Sequence, residues 1–95
     1  MSRHRQSITL VGRASNLAFH DGLASFTLTV KGRGELPELV VRCEGLSSNV
    51  HEQFELMDEG CLVGVIGNLA KRNEGAHALV LLVRLEYLGK PLAAA

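Results

Sequence analysis

Residues 60–69 read Gly60-Cys61-Leu62-Val63-Gly64-Val65-Ile66-Gly67-Asn68-Leu69. Val63, Val65 and Leu69 fall on one face of a period-2 strand, and Gly67 completes the row. Glycine weakens a strand interior unless the backbone bends or another backbone approaches closely, so Gly64 and Gly67 mark such places. In a chain of 95 residues, a glycine-kinked and half-apolar strand is what closing a small barrel requires. The stretch is read as the fourth strand of a five-stranded barrel.

Upstream of it, residues 46–60 break the strand rhythm. Asn49 and Glu52 are spaced as in a capping box, Val50, Phe54 and Met57 recur at helical intervals, and Gly60 stands where a glycine stops a helix. Residues 7–15 make a first strand, with Ile8, Leu10 and Gly12 alternating with Thr9, Val11 and Arg13. Residues 16–22 are a connection ending in Asp21-Gly22, a tight-turn pair. Ala24, Phe26, Leu28 and Val30 alternate with Ser25, Thr27, Thr29 and Lys31, the cleanest amphipathic strand of the chain. After a Gly/Pro turn region, Leu39, Val41 and Cys43 point inward and Glu38, Val40, Arg42 and Glu44 outward, with Val40-Val41 leaving the register open by one residue.

Downstream, residues 71–75 form a basic hairpin turn and residues 76–88 one long strand. Strict alternation puts His77, Leu79, Leu81, Val83, Leu85 and Tyr87 on one face and Ala78, Val80, Leu82, Arg84, Glu86 and Leu88 on the other. Both faces are apolar through the first half, which implies that a partner covers the outside. Leu62, Ile66, Val80 and Leu82 are the expected interface of a homo-oligomer, a symmetric dimer in its simplest form and a tetramer otherwise.

Composition narrows the function classes. The apolar fraction is 46% and the charged fraction 21%, values of an ordinary globular domain. Ten basic residues balance ten acidic ones, so any polyanion binding must rest on local charge placement. Cys43 and Cys61 stand apart from His pairs and read as small core residues of a reducing compartment. The four histidines show no metal-ligand spacing, and no P-loop, nucleophile elbow or dinucleotide fingerprint is present. Neither catalysis nor a cofactor is expected. No apolar run approaches membrane-spanning length, and positions 1–6 lack a signal-peptide core, so the expected location is the cytoplasm, at the nucleoid. Positions 1–6 read as a frayed terminus, 7–89 as the domain and 90–95 as a tail.

Three strands, a helix and two strands is the element order of the OB-fold, an all-β barrel with one helix between its third and fourth strands. The residues themselves resemble the bacterial single-stranded DNA-binding protein superfamily. Ile8-Thr9-Leu10-Val11-Gly12-Arg13 is similar to its opening strand, Phe26-Thr27-Leu28-Thr29-Val30 to its second, residues 60–69 to its fourth and Leu85-Glu86-Tyr87-Leu88-Gly89 to the end of its barrel. In size and in its Asn73–Gly89 hairpin the chain also resembles the primosomal replication protein N branch. The chain departs from the family in having no tryptophan, a short turn between its second and third strands, and no acidic tail. The resemblance implies single-stranded DNA as ligand, replication or restart proteins as partners, and a groove that relies on cations more than on stacking.

Arg13, Lys31, Arg33, Arg42, Lys71 and Arg72 are the candidate groove residues, lying on outer strand faces or on turns that flank an OB groove. Taken singly, each reads equally well as solvated surface. Glu35, Glu38, Glu44 and Glu74 interleave with them and weaken phosphate attraction. Phe26 and Phe54 read as packing residues and Tyr87 as core or interface, which leaves Phe19 as the candidate base stacker. A second reading takes the domain as a protein-interaction module that uses its apolar fifth-strand face.

Overall fold

The computed structural model describes residues 7–70 and 78–90. The expectations for positions 1–6, for the turn carrying Lys71 and Arg72, for His77 and for positions 91–95 lie outside the described residues. Five strands close into a barrel: β1 (Ser7–His20), β2 (Leu23–Val30), β3 (Leu39–Gly45), β4 (Leu62–Ala70) and β5 (Ala78–Gly89). The short helix α1 (Ser48–Phe54) lies between β3 and β4. Around the barrel the order is β1-β2-β3-β5-β4, with β3 and β5 parallel and the remaining neighbours antiparallel. This is the expected OB architecture.

The core follows the alternation where the strands are regular. Ala24, Phe26 and Leu28 from β2, Val41 and Cys43 from β3, and Val63 and Val65 from β4 are all buried. The β3 register that was open by one residue is thus settled for Val41 and Cys43, although Leu39 at the strand entrance is 43% exposed. Leu69, expected inside, is 37% exposed because it sits near the open end of β4.

Irregularity enters where the sequence was read as loop or as unbroken strand. β1 runs on to His20, through the segment expected to be a connection. Asn16 and Leu17 together face the single residue Phe26, a β-bulge, and Asn16 takes a left-handed φ of 55° that asparagine tolerates better than most residues. The Asp21-Gly22 turn forms as expected, with φ of 53° and 81°, the paired positive values of a two-residue hairpin.

In β5 the extra residue is Val83, since Ile66 pairs with Arg84 while Gly67 pairs with Leu82. The bulge flips the alternation, so Val80 and Leu82 point inward and are buried, as are Leu85 and, in part, Tyr87 further on. The expected interface role of Val80 and Leu82 is therefore corrected: both are core. Opposite this bulge Gly67 is packed so tightly that a Cβ there would stand 2.4 Å from the Leu81 carbonyl oxygen. Gly64 is different, with its nearest neighbours at 3.9 Å, so only one of the two glycines in the strand marks a close crossing.

The helix is capped by Ser47, whose Oγ accepts the Val50 N–H at 3.2 Å, and not by Asn49. It ends at Phe54, so Gly60, with φ 86°, is not its stop. Gly60 N–H instead donates to Ala14 O at 2.7 Å, and Ala14 N–H to Cys61 O at 2.9 Å, tying the approach to β4 against β1. Asn49 and Gln53, one helical turn apart, turn toward β5. Asn49 Oδ1 accepts the Leu85 N–H at 3.0 Å and Gln53 Oε1 the Tyr87 N–H at 2.9 Å, past the point where β3 stops pairing with β5. Two helix side chains thereby replace the missing strand.

Candidate nucleic-acid interface

The outer face of β1, β2 and β3 is built in rows, because cross-strand partners share a face. Arg13, Thr29 and Val40 form one row, Ser15, Thr27 and Arg42 the next, and Ala18, Ser25 and Glu44 a third. Hydroxyls therefore occupy the centre, with Arg13 flanking the first row and Arg42 the second. Arg42, half-buried, donates from Nη1 to Thr27 Oγ1 at 2.8 Å. Lys31 follows directly after β2 and shares an open cleft of about 620 Å³ with Arg13, Ser15, Thr29, Glu38 and Leu62.

The structure thus brings Arg13, Lys31 and Arg42 to one side of the barrel, and Arg13 and Lys31 into one cleft. Among the described residues no carboxylate lies within ion-pair distance of Arg13, Lys31 or Arg33. Arg33 is exposed in the loop between β2 and β3, where Leu36 N–H donates to its carbonyl at 2.8 Å. Lys71 and Arg72 lie outside the described residues.

Phe19 is 54% exposed but stands apart from these groups. Beyond the bulge it pairs with buried Ala24, while Ala18 pairs with outward Ser25, so Phe19 faces the helix side of the hairpin. It meets the His51 ring edge-on at 5.1 Å and stacks on Phe54 at 6.1 Å. His51 Nε2–H in turn donates to the Gly22 carbonyl at 2.6 Å, which fastens the hairpin tip to α1. The ring offered as a stacker is used as a clasp.

Glu59, exposed between α1 and β4, has a defined task. Its Oε1 and Oε2 accept the N–H groups of Asn16 and Leu17, each at 2.8 Å, satisfying both amides of the β1 bulge. The bulge then places Asn16 Nδ2 3.5 Å from Thr27 Oγ1. Thr27, Asn16 and Glu59 were not singled out by the sequence reading. The available signal was Asn16 itself, a residue suited to left-handed backbone inside a strand-like run.

Of the expected interface residues, Leu62 is half-buried and lines the cleft, whereas Ile66 is 39% exposed. The exposed apolar residues of the fifth strand are Leu81, Val83 and Leu88. Cys43 and Cys61 are both free and buried. Burial pushes the Cys43 thiol up to about 12 against the opposing charge of Arg42, and burial raises Cys61 as well, so neither is a thiolate nucleophile near neutral pH. Among the described residues no cluster of three His, Cys, Asp or Glu side chains is placed to hold a metal ion, and no helix is long and apolar enough to cross a membrane.

No protein-family model matches the chain, and neither does any curated protein sequence. Solved structures do. The small single-stranded DNA-binding protein of Streptomyces coelicolor superposes with a TM-score of 0.75 at 19% identity, over 90% of this chain and 95% of that one. The second single-stranded DNA-binding protein of Mycobacterium smegmatis gives 0.75 at 20% identity, over 90% of each chain. A mitochondrial single-stranded DNA-binding protein of S. cerevisiae gives 0.74 at 13% identity, over 94% of this chain and 100% of that one. The chain has the OB-fold that these single-stranded DNA-binding proteins share.

Proposed function

We infer that this chain is a non-catalytic, sequence-independent single-stranded DNA-binding protein of replication or replication restart, working in the cytoplasm at the nucleoid. The observation that carries the reading is the placement of Arg13, Lys31 and Arg42 around hydroxyl-bearing rows on one outer face. The fold it shares with proteins named for single-stranded DNA binding supports it.

Contacts on this face are mainly to phosphates. Phe26 is core, Phe54 and Tyr87 pack against the core, and Phe19 is held on the helix side, so the stacking contribution of aromatic-rich binders is small here. Binding by cations with few stacked bases is weak and steeply salt-dependent. A homo-oligomer, dimer or tetramer, offsets that weakness by linking several faces, and Ile66, Leu81 and Val83 supply its apolar contact.

Fluorescence anisotropy of labelled oligo-dT at low and at physiological salt tests the reading. Binding that weakens steeply with salt is expected, and no binding at low salt would overturn it. The exposed Ile66, Leu81 and Val83 also favour the alternative, a protein-interaction module with little nucleic-acid contact. A monomer that ignores oligo-dT would be the outcome for that alternative.

A further inference from the structure

We propose that the Thr27 hydroxyl, set between Arg42 and Asn16, is a phosphate-oxygen contact point that receives the backbone of a bound strand. The inference rests on the single-stranded DNA reading above and deepens it. It assigns a neutral donor, beside the cations, and the support that aims it.

A threonine hydroxyl carries two acceptor lone pairs and one donated hydrogen. At Thr27 the acceptor side is occupied from both neighbouring strands. Arg42 Nη1 donates to Oγ1 at 2.8 Å from β3, and Asn16 Nδ2 approaches it at 3.5 Å from β1. Among the described residues the hydroxyl hydrogen finds no acceptor of its own, and it lies on the outer face of the central strand. What remains for it is to donate outward, next to a guanidinium that still has unused N–H groups. An anionic oxygen is the partner that satisfies both at once. From Thr27 the outer rows continue through Thr29 to Arg13, which shares its cleft with Lys31 and Glu38.

The support for this point is built into the backbone. Asn16 reaches Thr27 only because the β1 bulge turns it there, and the bulge amides are held by the two oxygens of Glu59 at 2.8 Å each. Glu59 is thus a positioning residue, acting through Asn16 and touching no ligand itself.

The test compares Thr27→Val, Thr27→Ser and Arg42→Gln in anisotropy titrations, using oligo-dT and an abasic strand of the same length. Valine keeps the β-branched shape, and an unchanged circular-dichroism melt verifies the fold; Thr27→Ala serves if valine alters it. Thr27→Val is expected to weaken binding about tenfold, the scale of one hydrogen bond to a charged group. The salt slope should stay unchanged, since no charge is lost. Thr27→Ser should restore binding, and Arg42→Gln should lower the slope by about 0.7. The valine penalty should be equal on the abasic strand. Wild-type affinity in Thr27→Val, or a penalty that vanishes on the abasic strand, would overturn the contact while leaving the single-stranded DNA reading intact. No wild-type binding to oligo-dT at low salt would overturn that reading and the contact with it.

Discussion

Asn49 on the helix accepts the Leu85 N–H of β5 through its side-chain oxygen at 3.0 Å, so a side chain ends the hydrogen-bond ladder that β3 abandons after Leu81. With Gln53 doing the same for Tyr87, two amides on the β5 edge that faces away from β4 are satisfied although β3 no longer runs beside that edge. An unpaired strand edge is a template for unwanted pairing, and here a helix covers it.

Removing this acceptor should be costly. Asn49→Ala leaves a strand amide without its partner and is expected to cost about 1–2 kcal/mol, whereas Asn49→Asp keeps an acceptor and should lose less. Urea denaturation compares the three proteins. Amide hydrogen exchange provides the local readout, with Leu85 speeding up in the alanine variant ahead of the buried amides of β2.

Gly67 and Gly64 lie three positions apart in one strand and should respond oppositely to alanine. At Gly67 a new Cβ would meet the Leu81 carbonyl at 2.4 Å and the Val80 Cγ1 at 2.8 Å, so backbone has to move. Overpacking of this kind costs about 1–3 kcal/mol. At Gly64 the nearest atoms, on Leu88 and Val11, stand at ordinary contact distance of 3.9 Å. Gly64→Ala should therefore leave the melting temperature unchanged or raise it, and Gly67→Ala should lower it by several degrees, about 4–8 °C for each kcal/mol in a domain of this size. Equal melts would mean that the crossing of β4 and β5 is looser than its geometry.

The contrast shows which parts of the fold were legible. Element order, the Asp21-Gly22 turn and the buried residues Ala24, Phe26, Leu28, Val41 and Cys43 of β2 and β3 follow from alternation, because those strands have one apolar and one largely polar face. β5 offers no such contrast: residues 78–83 are apolar without exception, so nothing in the pattern reveals that Val83 is an extra residue. The faces of Val80, Leu81 and Leu82, on its N-terminal side, are consequently the reverse of those expected. The bulge at Asn16 was hidden in the same way, since Leu17, Ala18 and Phe19 look like a connection once the period is lost. Of the candidate groove residues, Arg13, Lys31 and Arg33 were legible as exposed charges. Glu59 was not, because its partners are backbone amides more than forty residues away.

Arg13 and Lys31 share a cleft, so each should contribute one phosphate contact to strand binding. Each neutralised phosphate steepens the salt dependence of single-strand binding by about 0.7 on a log–log plot. Arg13→Ala and Lys31→Ala should each reduce the slope by about that amount, and the double variant by about twice as much. Charge reversal at Lys71 and Arg72 should flatten it too. A slope untouched by Arg13→Ala and Lys31→Ala would take the cleft out of the strand's path.

Cys43 should make the protein sensitive to alkali. Its thiol, with a reference value of 9.0, is pushed up to about 12 by burial, so above pH 9 the unfolded chain releases a proton that the folded chain keeps. The stability this thiol contributes is complete below pH 9 and is lost as pH rises toward 12. The expected slope is at most about 1.4 kcal/mol per pH unit for one proton. Cys61 is shifted in the same direction and adds to it. Urea midpoints measured between neutral pH and pH 10 should fall more steeply for the native sequence than for Cys43→Val; parallel curves would assign the alkaline loss elsewhere.

Leu82 and Val83 are consecutive residues with opposite duties. Leu82 is 9% exposed inside the barrel, and Val83, displaced outward by the bulge, is 58% exposed. Leu82→Asp buries a carboxylate with no partner and should abolish cooperative unfolding altogether. Val83→Asp meets water and should keep its melt within about 0.5 kcal/mol of the native sequence, as surface substitutions do. If copies of the chain associate through this face, the aspartate also brings like charges together at the contact, and sedimentation velocity should show the assembly dissociating. An assembly that survives both Val83→Asp and Ile66→Asp would place the contact between copies away from the β4–β5 face. A Leu82→Asp protein that still melts cooperatively would move the bulge off Val83 and restore the unbroken alternation of β5.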